Sequence, residues 1–108
     1  VALTLGQFIR AHAEAEADRL QPGIGEADHR KTMAMIIQSL GARDPIAACG
    51  RFTALLGRLG LASRLRDIGL TDMQARQSVA RSVNIERLGN NPVVFTPAEL
   101  EAVLEWAS

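Results

Sequence analysis

The stretch DPIAACGRFTALLGRLGLASRLRDIGLT, residues 44–71, decides how the chain is read. Asp44 stands where a helix N-cap accepts the first free amides, and Pro45 occupies the first helical position, where a missing N–H costs no hydrogen bond. Ile46, Cys49, Phe52, Leu56 and Leu59 recur at three- and four-residue steps, widened by Thr53 and Leu55, which predicts one apolar stripe on a helix. Gly60 then supplies the left-handed conformation that ends a helix at low steric cost. Ser63 to Ile68 reads as a short helical turn closed by Gly69. None of these side chains is reactive, so the stretch describes a scaffold.

Working outward, the same punctuation recurs. A first helix is expected over residues 2–20, with Leu5, Phe8, Ile9 and His12 on one face and Ala13 and Glu16 continuing the line. Its second half, AHAEAEADRL, has high helix propensity but little to bury. Gln21-Pro22-Gly23-Ile24-Gly25 breaks it. A second helix is expected over residues 26–40, with Met33, Ile36, Ile37 and Leu40 as its core stripe and Glu26 and Asp28 favoured in its first turn by the helix dipole. Gly41 ends it, and the very short connection predicts that this helix and the central one are antiparallel neighbours. Thr71-Asp72-Met73-Gln74 has the order of a capping box, with Thr71 as cap. The helix it opens should carry Met73, Val79, Ala80 and Val83 inward and fray near Asn84. Arg87 to Asn91 reads as a loop. Thr96-Pro97-Ala98-Glu99 is a second capping box, and Leu100, Val103, Leu104 and Ala107 form the stripe of a short last helix from which Trp106 stands off.

The expected fold is therefore all-α, a bundle of about five to six helices in a single domain over residues 1–108. Lys plus Arg and Asp plus Glu are both 12, so the net charge is zero and the electrostatic case for nucleic acid is absent. No apolar run approaches the roughly 20 residues of a membrane span. A single cysteine and no signal-peptide pattern suit a reducing compartment, the cytoplasm. Val1 falls directly before a helical pattern that has no cap, which suggests a piece of something longer.

Residues with chemical potential are few. His12 and His29 lie far from metal-ligand spacing, and both read as surface or half-buried helix positions. Cys49 lies on the apolar stripe, where a thiol is a small inert hydrophobe. Glu14, Glu16 and Asp18 read as a solvated helix face rather than a paired-carboxylate site. Gly23-Ile24-Gly25 lacks the preceding strand that a phosphate-binding turn requires. Arg58, Arg64 and Arg66 read as surface charges around a turn.

One resemblance adds to this reading. Leu59-Gly60-Leu61, then Leu65-Arg66-Asp67-Ile68-Gly69, then Asn91-Pro92, Val93-Val94 and Thr96 to Glu99 resemble, in order, the C-terminal helical part of the iron-containing (group III) alcohol dehydrogenases. The branch that includes maleylacetate reductase is the most similar. Residues 2–10 resemble the helix in which that family carries an ALLLPHVMR-type run, with Gly6 and Gln7 standing where the run has Pro and His. The resemblance covers residues 2–10 and 38–108 and rests on the ordered series. It implies a dehydroquinate synthase-like helical domain of a two-domain α/β plus α enzyme. In that family an N-terminal domain binds NAD(P), and a divalent metal, iron or zinc, is held by Asp and His side chains upstream of the matching segment.

What the resemblance implies for this chain is support of the metal and substrate cleft without catalysis by the chain alone. No catalytic, cofactor-binding or metal-ligating residue is carried over, and Gln7 is the one residue expected to line the cleft. The implied partners are the nucleotide-binding domain and the upstream metal-bearing helices, with a homodimer as a further option and neither nucleic acid nor membrane. The competing reading is a stand-alone helical protein-interaction module without enzymatic activity.

Overall fold

Residues 2–83 and 85–108 are described by a computed structural model. The described residues form six α-helices: α1 (Ala2–Glu14), α2 (Glu26–Ser39), α3 (Pro45–Arg58), α4 (Met73–Arg81), α5 (Ile85–Leu88) and α6 (Pro97–Trp106). Two 3₁₀ turns, Ala17–Arg19 and Leu65–Ile68, complete the regular structure, and no strand occurs among the described residues. The all-helical expectation stands. The expected fraying at Asn84 lies outside the described residues.

The helix starts show why these segments fold. Asp44 Oδ1 accepts from Ala47 N at 2.7 Å, with Pro45 at the first position of α3. Both halves of the box at α6 are made: Thr96 Oγ1 accepts from Glu99 N at 3.2 Å, and Glu99 Oε1 accepts from Thr96 N at 3.0 Å. Gly69 closes the 65–68 turn at φ 87°, a conformation that favours glycine. The start of α4 differs from expectation. Its cap is Asp72, whose Oδ1 accepts from Ala75 N at 2.7 Å, and not Thr71. A carboxylate one residue later can reach the same set of free amides and adds a charge favoured by the dipole. Asp72→Ala is expected to cost about 1 kcal/mol, or about 5 °C in thermal midpoint, while Thr71→Ala stays within about 0.5 kcal/mol; thermal melts by circular dichroism compare the two.

Helix α1 is shorter than its composition suggests. It ends at Glu14, and the chain crosses to an antiparallel bridge between Leu20 and Val93. Gln21 N donates to Pro92 O at 2.8 Å and Val94 N to Arg19 O at 2.7 Å. The Arg19 guanidinium donates to Val94 O at 3.0 Å and pairs with Glu99. Long-range pairing of residues 19–21 with 92–94 thus overrides the local helix preference of the alanine-rich segment.

The main core joins Leu65, Ala80, Val93, Phe95, Leu100, Leu104 and Ala107, with Leu3, Phe8 and Ala11 of α1 and the following Ala15 packed against it. Leu65 N donates to Ala107 O at 2.8 Å and ties the 3₁₀ turn to the end of α6. On another side of α1 lies α3, the most extensive helix pairing in the molecule. It closes on small residues: a Cβ added at Gly6 would stand 3.3 Å from Cys49 O, and Ala48 is fully buried.

The expected stripe of α3 is therefore rotated. Ala48 and Leu56 are its buried residues, whereas Ile46 (60% exposed), Leu59 (63%) and Leu55 face solvent. Met73 and Val79 of α4 are likewise exposed, and only Ala80 of that helix is buried. Nor are α2 and α3 among the extensive helix pairings. Both dock on α1, and α2 makes its extensive contact with α1 alone. Residues 87 and 88, expected in a loop, belong to α5. The described chain is a slab of 39 × 31 × 17 Å. At less than two helix diameters in its thin direction, it cannot cover every apolar side chain.

Candidate functional site

A cleft of about 760 Å³ runs along α1. Leu5, Phe8 and Ile9 form one wall, Met33 and Ile36 of α2 the other, and Leu88 and Pro92 close one end. The loop at Gly23, held at φ 88°, and Ile24 form part of the rim. The lining is predominantly apolar, with His12, Asp28, His29, Thr32 and Asn91 as its polar groups. Volume and lining fall in the range of small-molecule sites. A second groove, of about 470 Å³, shares Leu5, Ile9, Thr32 and Ile36 and runs on toward Met35 and Phe52.

The structure brings the two histidines together. His29 is buried, contrary to its surface or half-buried expectation, and its Nε2 lies 2.9 Å from His12 O. A carbonyl only accepts, so His29 Nε2 carries the hydrogen. That carbonyl belongs to the last turn of α1, where no intrahelical donor remains, so an imidazole from α2 satisfies it. His12 is half-buried, and its Nδ1 donates to Phe8 O at 2.7 Å. The imidazole meets the Phe95 ring edge-on, with centroids 5.0 Å apart. Burial lowers the His12 pKa below the ordinary 6.5. The Phe8 carbonyl and Asn91 oppose the shift, and the nearby His29 adds to it.

A histidine kept neutral by the fold makes stability depend on pH. The folded-state pKa lies below the unfolded value, so between the two the unfolded chain binds more protons, and stability falls as pH drops below about 6.5. The thermal midpoint should fall from pH 7.5 to pH 5.5, above the range of the carboxylates. His12→Phe should flatten that slope, as thermal melts across the interval will report.

No family model, curated protein or solved structure matches this chain.

The remaining residues singled out by sequence take plain positions. Gln7, expected to line a cleft, is 2% exposed within α1 and is not among the residues lining the 760 Å³ cleft. With its amide oriented to meet the local acceptors, its nitrogen donates to Leu3 O at 3.2 Å and Thr4 O at 3.3 Å. Cys49 is half-buried beside Gly6, and burial raises its thiol pKa, with a hydrogen bond to Thr53 opposing. Glu14, Glu16 and Asp18 are exposed, Glu14 paired with Arg10 at 3.1 Å. Arg58, Arg64 and Arg66 are also exposed. Trp106 reaches α1, where the Arg10 guanidinium lies 3.7 Å above its ring, a cation–π contact across α1 and α6.

The side chains present do not fit a catalytic metal. A zinc or iron centre takes at least three protein ligands, and among the described residues no group of three His, Cys, Asp or Glu is placed to hold an ion. What the arrangement does offer is a shaped, predominantly apolar wall carrying two hydrogen-bonded imidazoles. Sequence reading missed the His29–His12 link, because the 17-residue separation gives no periodic signal. Among the described residues no helix is long and apolar enough to cross a membrane.

Proposed function

We propose that the chain is the helical portion of a metal- and NAD(P)-dependent alcohol dehydrogenase or reductase of the iron-containing type. Its role is to shape and support the metal and substrate cleft, and it is not catalytic alone. The ordered series from Leu59-Gly60-Leu61 through Leu65–Ile68 with Gly69 to the Thr96–Glu99 box supports this reading. The observation that carries it is the cleft along α1: a formed, predominantly apolar wall that holds no group of three metal-ligating side chains among the described residues. Such a wall positions chemistry supplied by other residues. In the complete enzyme the divalent metal, iron or zinc, would polarise a carbonyl or alcohol oxygen while nicotinamide exchanges hydride with the attached carbon. The partners are then the nucleotide-binding domain and the metal-bearing helices.

The test is to place an affinity tag after Ser108 in the source organism and assay the recovered protein for NADH or NADPH oxidation with an aldehyde or ketone. Activity abolished by a chelator and restored by iron or zinc is expected. Recovery of a chain without nicotinamide-dependent activity, held by a protein partner through the same cleft, would replace this reading with the helical interaction module.

A further inference from the structure

Helix α2 is attached to the rest of the molecule by a narrow line. Its buried residues are His29, Met33 and Ile37, one per turn at four-residue steps, and most of its other side chains are exposed. Its extensive helix contact is with α1 alone. The ridge has open space along it: the 760 Å³ cleft runs beside His29, Met33 and Ile36, and the 470 Å³ groove lies beside Met35, Ile36 and Leu40. A helix held by one ridge gains little from burial and sits at the low-stability end of local opening.

Both ends of α2 are built to turn. The loop before it contains Gly23 at φ 88° and Gly25 as its N-cap residue, and the loop after it contains Gly41 at φ 72°. A Cβ at Gly23 would meet nothing within 4 Å, so glycine is used there for backbone conformation and not for space. Only one residue of the ridge is polar. His29 Nε2 donates to His12 O, a carbonyl freed by the end of α1.

From these features we propose that α2 is a hinged lid on the apolar cleft, swinging on the glycine-bearing loops at its two ends, and that the His29–His12 carbonyl hydrogen bond is its latch. Opening parts the Met33–Ile36 wall from the Leu5–Phe8–Ile9 wall and admits molecules to the cleft, while α1, α3 and α6 stay packed. The inference rests on the attachment of α2 and does not depend on the dehydrogenase reading.

Two measurements on the full chain test it. In hydrogen–deuterium exchange, amides of α2 should exchange at least about tenfold faster than those of α3 and α6, as expected of a local opening. His29→Ala should raise α2 exchange about three- to tenfold, the worth of one hydrogen bond, with α3 and α6 unchanged within about twofold. In the second, Ile37→Cys in a Cys49→Ala background is labelled with a thiol reagent. Ile37 is 9% exposed and lines neither the 760 Å³ cleft nor the 470 Å³ groove, so its replacement reacts through opening. Labelling faster than global unfolding, and faster again with His29→Ala, is the expected result. Protection of α2 equal to that of α3 and α6 would overturn the proposal. So would labelling at the global unfolding rate, or a His29→Ala effect spread evenly over all helices.

Discussion

Gly6→Leu is expected to destabilise the protein by about 3 kcal/mol and lower its thermal midpoint by about 15 °C. The reason lies in the α1–α3 crossing. A Cβ at Gly6 would already stand 3.3 Å from Cys49 O and 3.4 Å from Phe52 Cβ. A backbone carbonyl cannot rotate aside, so a branched side chain must push the two helices apart. Gly6→Ala makes the informative contrast. Its single methyl meets the same atoms at tight but survivable distances, and alanine gains about 1 kcal/mol of helix propensity over glycine. The net change should stay within about 1 kcal/mol of wild type. Chemical denaturation of the two variants separates crowding, which grows with side-chain size, from any special need for glycine's backbone freedom.

Phe95→Ala should cost about 3–4 kcal/mol, among the largest single losses available to this core. Phe95 is 8% exposed and stands edge-on to both Phe8, at 5.8 Å between centroids, and His12. Truncation removes the ring that joins α1 to the segment entering α6 and leaves a void, which adds to the lost transfer energy. It also opens the imidazole of His12 to water. Burial is the leading cause of the depressed His12 pKa, so its NMR titration should move up toward 6.5 in the variant. A stability loss without that movement would mean that other groups, not Phe95, keep His12 dry.

Much of this fold is legible in single residues. Asp44, Thr96 with Glu99, Gly60 and Gly69 each mark a boundary that the backbone obeys, because caps and left-handed turns are local and need only their own side chain or its absence. The stripe Leu100, Val103, Leu104 and Ala107 is buried as its spacing requires. The failures share a different cause. Three- and four-residue spacing places Ile46 and Leu59 inward, yet α3 buries Ala48 instead, since Ala48 and Gly6 of α1 allow a close approach that large side chains would prevent. The alanine-rich end of the first predicted helix yields to pairing with residues 92–94, a partner more than 70 positions away that no local window contains. Asp72 and Thr71 both qualify as caps by type, and it is the Asp72 carboxylate, favoured by the helix dipole, that accepts from Ala75 N.

The site was less legible than the fold. Its walls come from α1, α2 and the 88–92 segment, and a polar link between α2 and α1 joins His29 to a backbone carbonyl, which carries no side-chain signature. Gln7, singled out through the resemblance, packs inside α1, while its neighbours Leu5, Phe8 and Ile9 form the cleft wall. A predominantly apolar wall is what a supporting element presents and what a sequence motif does not record.

Metal content of the protein recovered through a tag after Ser108 tests the central claim most directly. The account predicts one iron or zinc per chain, unchanged when both His12 and His29 are replaced by glutamine, because the coordinating side chains lie outside these helices. Absence of metal from active or fully assembled protein, or its loss on replacing those two histidines, would contradict it.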